Sequence, residues 1–172
     1  NVSTAINVVR NLEKFQIKEF HIREAITRIR SEGRLQFIKN GKLRKYISNK
    51  NEILIDGAHN PLAAKAISTY LKNLNSGKKI IMLLGMMPNK EHKDFIKIFK
   101  NTVKSIITLD IPNQINSMDK KKLSEIARSC GITSTTENSI KYALRNAAKE
   151  DENAIIFCTG SLYFAAEILN LN

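Results

Sequence analysis

A chain of 172 residues with 42% hydrophobic content can bury one substantial core and a small appendage, but not two full domains. No stretch approaches the roughly 20 apolar residues of a membrane-spanning helix and the opening residues are amphipathic rather than signal-like, so a soluble, cytoplasmic protein with no membrane partner is expected. The excess of 28 Lys+Arg over 16 Asp+Glu gives +12, yet the basic residues are scattered and no aromatics alternate with them, which predicts a solvated lysine surface rather than a nucleic-acid partner.

In residues 2–15, Ile6, Val9 and Leu12 fall at helical spacing, and residues 22–30 repeat the pattern with Ile22, Ala25, Ile26 and Ile29, predicting a helix pair. The sequence lacks an initiator methionine and opens inside a helical pattern, so the chain is expected to continue a structure that begins elsewhere. Two short alternating segments then flank Asn40-Gly41, a dipeptide suited to a tight hairpin turn. A boundary near Gly33 follows, dividing residues 1–32 from 33–172.

From Glu52 onward, short apolar runs at 53–55, 80–84, 105–109 and 154–158 read as strands. Between and after them, 62–74, 92–99, 122–129, 139–149 and 162–169 read as helices. Such alternation implies right-handed crossovers and a Rossmann-like α/β fold, its mostly parallel sheet carrying helices on both faces. Runs such as IIMLL and AIIF lack polar alternation, as strands covered on both sides should. Cys130 and Cys158 stand far apart with no ligand-spaced neighbours, which predicts buried apolar roles and neither a disulfide framework nor a metal site.

In open parallel sheets, ligands bind beyond the carboxyl ends of strands, where helix N-termini aim amide hydrogens outward. Three junctions qualify: residues 55–61, 84–91 and 158–163. The first sets Asp56, Gly57 and His59 ahead of Asn60-Pro61, a helix cap and first helical residue. Capping explains Asn60 and Pro61 but gives no reason for Asp56 and His59, which are candidate site residues. At the third junction Ser161 can cap the last helix and still hydrogen-bond a carboxylate. No Walker sequence or GxGxxG occurs, so dinucleotide binding is not expected.

DGAHNP at 56–61, with GRLQ at 33–36, GMMPNKE at 85–91 and TGSLYFAAEIL at 159–169, resembles the folylpolyglutamate synthase/dihydrofolate synthase family within the Mur ligase superfamily. The resemblance spans nearly the whole chain. It implies that residues 1–32 are the last helices of a central ATPase domain and that 33–172 form the C-terminal ligase domain. It also implies a monomeric ligase that uses ATP and Mg2+ to join L-glutamate to folate or dihydropteroate through an acyl phosphate. The phosphate loop and main magnesium ligands would lie in an N-terminal ATPase domain absent from this sequence, so the chain alone is expected to be inactive; a non-catalytic nucleotide- or acidic-ligand-binding module is the alternative. The implied roles are nucleotide contacts for Arg34 and Asp56 and glutamate or acyl-phosphate contacts for His59 and Ser161, with Asn60, Lys90 and Tyr163 supporting them. Where the family pattern reads GxxxDKD, this sequence has Asn89 and Glu91 around Lys90.

Overall fold

The computed structural model describes residues 2–29, 31–74 and 77–172. The chain divides into two compact units, Asn1–Glu32 and Gly33–Asn172. Among the described residues no helix is long and apolar enough to cross a membrane.

The first unit holds α1 (Val2–Arg10) and α2 (Glu19–Arg28), joined by an Arg10–Glu19 ion pair of 2.9 Å. Helix α1 stops short of the predicted Phe15. The Asn11 amide donates to the Asn7 carbonyl at 2.7 Å, satisfying locally a carbonyl that would otherwise extend the helical ladder. Helix α2 starts ahead of the predicted Ile22, because His21 Nδ1 accepts the Lys18 amide at 3.1 Å and Glu19 suits the positive helix end. Arg30, the predicted end of this helix, lies outside the described residues. The pair buries little of itself: α1 has no buried side chain, α2 only Ile22, and an apolar groove of about 390 Å³ runs between them.

Among the described residues the second unit is built on six strands: β1 (Gln36–Ile38), β2 (Glu52–Ile55), β3 (Ile80–Leu84), β4 (Ser105–Thr108), β5 (Ser134–Thr136) and β6 (Ile155–Thr159). Their spatial order is β1-β2-β6-β3-β4-β5, with only β1 antiparallel to its neighbour. Helices α3 (Pro61–Asn73), α4 (His92–Lys97) and α5 (Lys120–Ser129) cover one face, α6 (Ile140–Glu150) and α7 (Leu162–Leu171) the other. Successive strand residues serve opposite cores. Leu54, Met82, Ile106 and Phe157 meet Ile67, Phe95 and Leu123, whereas Ile53, Ile81, Leu83 and Ile156 meet Leu144, Phe164 and Ile168. This is the expected mostly parallel, doubly covered sheet, and it explains why the strands are apolar at every position.

Two local expectations fail. The tight hairpin at Asn40-Gly41 is replaced by a 3-10 turn over Lys42–Tyr46, and β1 pairs instead with the more distant β2, Gln36 opposite Ile55 and Ile38 opposite Ile53. Leu43 is fully buried in the core under α6, and the chain end holds this turn: Lys42 N–H donates to the Asn172 carbonyl at 3.0 Å and the Asn172 amide to the Asn40 carbonyl at 3.1 Å. Burying Leu43 and satisfying those carbonyls outweighs the local turn preference. Strand β5 was not predicted at all; it reads Ser-Thr-Thr, lies at the sheet edge, and its Ser134 is buried against the Ser124 hydroxyl at 3.0 Å.

Candidate active site

Because β2, β6 and β3 are adjacent and parallel, the loops leaving their carboxyl ends are neighbours. Backbone bonds lace these loops together. Asp56 N–H donates to the Cys158 carbonyl at 3.0 Å, Gly160 N–H to Ala58 at 3.0 Å, and Gly85 N–H to Thr159 at 3.2 Å. Gly160 holds φ +110°, and a Cβ there would sit 2.6 Å from the Gly85 carbonyl oxygen, so close approach and backbone angle both demand glycine.

A cleft of about 420 Å³ opens over these loops, and His59, Lys90, Ser161 and Tyr163 line it together. His59 Nδ1 lies 3.0 Å from the Gly57 carbonyl. A carbonyl only accepts, so Nδ1 carries the proton and Nε2 is the basic nitrogen of the neutral ring. Ser161 is buried at the N-terminus of α7, and its oxygen accepts the Tyr163 amide at 3.1 Å, leaving the hydroxyl proton to donate elsewhere. Lys90 is exposed and its side chain pairs with no described residue. Its loop is braced by His92 Nε2–H donating to the Met87 carbonyl at 2.9 Å. Among the described residues no acidic side chain lines the cleft and the Lys90 ammonium does, so the site favours anions.

The other sequence-predicted residues lie elsewhere. Asn60 caps α3, its oxygen accepting the Ala63 amide at 2.9 Å, with Pro61 opening the helix. Arg34 is exposed, pairs with no described residue and is not part of the cleft lining. Asp56 is buried and also absent from the lining; its Oδ1 accepts the Ala58 amide at 2.8 Å and its Oδ2 the Leu35 amide at 2.9 Å. Sequence reasoning missed Asn116, Met87 and Leu162, which line the walls together with Pro88 and Asn89. Asn116 comes from the irregular loop between β4 and α5, brought in where Met118 N–H donates to the Met86 carbonyl at 2.8 Å. Only its place beyond a strand's carboxyl end could have flagged that loop.

Both cysteines are free and buried, and full burial on β6 pushes the Cys158 thiol far above its ordinary range. Among the described residues no three His, Cys, Asp or Glu side chains converge as a metal site.

Residues 33–162 match the family described as Mur ligase, glutamate ligase domain. The chain is 30% identical over 160 residues to the dihydrofolate synthase/folylpolyglutamate synthase of Buchnera aphidicola subsp. Acyrthosiphon pisum, covering 92% of this chain and 36% of that protein. It is 27% identical over 133 residues to the UDP-N-acetylmuramoyl-L-alanyl-D-glutamate--2,6-diaminopimelate ligase of Buchnera aphidicola subsp. Baizongia pistaciae, covering 73% of this chain and 26% of that one. Among solved structures, E. coli FolC in complex with DHPP and ADP superposes with a TM-score of 0.77 at 19% identity, over 98% of this chain and 37% of that chain. That last likeness concerns the fold. The chain thus spans about a third or less of the length of these relatives.

Proposed function

The chain belongs to the Mur ligase glutamate ligase domain family, and from that premise we propose that it forms the amino-acid side of an ATP-dependent ligase joining L-glutamate to folate or dihydropteroate. The observation that carries this reading is the acid-free cleft uniting His59, Lys90 and Ser161 at the sheet's carboxyl edge. In this reading the acceptor carboxyl is first phosphorylated by ATP. The glutamate amine then attacks the acyl carbon, and the bond to phosphate breaks as the amide forms.

Three charged partners must meet in this step, so orientation and charge neutralisation dominate the barrier. His59 Nε2 accepts a proton from the attacking amine, while the Ser161 hydroxyl and the Lys90 ammonium hold carboxylate or phosphoryl oxygens. Arg34, exposed and unpaired among the described residues, reaches the ATP phosphates with its guanidinium fork. ATP and a divalent ion are bound chiefly by the ATPase portion that the longer relatives possess, and residues 1–32 are its closing helices, their apolar groove covered by the rest of that portion. Without it the chain does not turn over. A second reading, an anion-binding module without catalysis, is favoured by Asn89, which places an amide where the family pattern carries an acid.

The test is to supply the chain with the N-terminal portion of the Buchnera folate ligase and measure glutamate-dependent ADP release with each acceptor. Release is expected only from the combination. His59→Ala or Ser161→Ala should lower it by roughly 10²-fold with unfolding little changed. Release driven by diaminopimelate instead of glutamate would move the chain to the cell-wall ligases, and absence of release with any amine would leave the second reading.

A further inference from the structure

Four consecutive residues, Met87, Pro88, Asn89 and Lys90, line one wall of the cleft. They form an arc between β3 and α4, and among the described residues none of their side chains has a hydrogen-bond or ionic partner. Pro88 has no amide hydrogen to offer either. Polar anchorage of the arc therefore rests on its carbonyls.

The carbonyls at the two ends of the arc go to the same residue. His92 Nε2–H donates to the Met87 carbonyl at 2.9 Å, and the His92 backbone N–H donates to the Lys90 carbonyl at 2.9 Å. The second bond closes an inverse γ-turn at Glu91, whose φ of −79° and ψ of 67° are the angles of that turn. The approach to the arc is anchored separately, where the Met86 carbonyl takes the Met118 amide at 2.8 Å.

The imidazole bond does nothing for the helix that His92 opens. A helix N-terminus leaves N–H groups in need of acceptors, and a further donor satisfies none of them. Glu91, just ahead of α4, supplies no side-chain cap. The side chain of His92 thus serves the loop, and its share is separable from that of its backbone, since the backbone N–H survives most substitutions.

We propose that His92 is a positioning residue for the cleft: by holding the Met87 and Lys90 carbonyls it fixes the arc of residues 87–90 and with it the place of the Lys90 ammonium. The task of Lys90 rests on the ligase reading above; the tether itself does not.

NMR order parameters of the backbone amides, measured on the chain of 172 residues, test the tether without turnover, so a failed ligase reading and a failed tether are separate results. His92→Phe keeps a ring and removes the donor, whereas His92→Gln offers a side-chain N–H at similar reach. In His92→Phe the order parameters of Asn89 and Lys90 should fall from about 0.85 to below about 0.6, while α4 and β3 keep theirs and His92→Gln stays near the native values. In a ligase completed with the Buchnera N-terminal portion, His92→Phe should lower kcat/KM for glutamate roughly 10-fold and His92→Gln should restore it. Unchanged order parameters at Asn89 and Lys90 in His92→Phe overturn the proposal, as does mobility spread through α4, which would make His92 a support of the helix. His92→Gln as mobile as His92→Phe overturns it too. If His92→Phe does not fold, the ring tautomer of the native chain decides: imidazole nitrogen shifts at about pH 8 should place the proton on Nε2, and a proton on Nδ1 overturns the tether.

Discussion

At the scale of single residues, position relative to a strand end separates side chains that face the cleft from those that hold the loops. Asn60 and Ser161 are both helix caps, as their types and places in sequence predict, but only Ser161 also reaches the cleft. Gly160 is constrained by both its backbone angle and the nearness of a carbonyl. Gly160→Ala must accept φ +110° and push its methyl against the Gly85 carbonyl, so it should lower stability by roughly 2–4 kcal/mol in urea unfolding and distort the cleft. Cys158 makes a second prediction. Its thiol is held neutral by burial, so the folded state binds that proton more tightly than the unfolded state does. Above the ordinary thiol value of 9.0, stability should therefore fall as pH rises, by up to about 1.4 kcal/mol per unit for this one group, a slope absent in Cys158→Ala. Iodoacetamide at pH 8 should label Cys158 only after unfolding.

At the scale of elements, the parallel strands and their crossover helices were legible because each carries its own signal: an apolar run, a helical period, a cap. The segments that were misread are those whose shape depends on distant partners. Leu43 looks like one strand residue among several, yet it fills the space beneath α6 beside a turn that Asn172 ties down. Leu43→Ala should cost about 2–5 kcal/mol in chemical denaturation, far more than a hairpin-strand position on the surface would. Strand β5 escaped notice because three polar residues have no hydrophobic period; it exists because the edge of β4 offers it a ladder.

At the scale of the whole molecule, the two units differ in how much each buries. The second has two cores, one on each face of its sheet, while the helix pair of the first buries one side chain among the described residues, and short helices depend on packing more than on their intrinsic propensity. Brief trypsin treatment should therefore cut within residues 2–29 first and leave a resistant product containing residues 33–172, read by mass spectrometry. A product in which α1 and α2 outlast the sheet would contradict this ordering of local stability.

The amino-acid sequence by itself determined the class of fold, the strand-to-helix junctions where chemistry belongs, and the motif words that resemble a glutamate ligase, because periodicity, caps and glycines act over a few neighbouring residues. Only the tertiary structure decided which junctions converge. The order β2-β6-β3 brings loops about 100 residues apart into one cleft, gathering His59, Lys90 and Ser161 while Asp56 is spent on backbone amides. That selection depends on strand pairing across the sheet, an interaction between distant segments that no local pattern encodes.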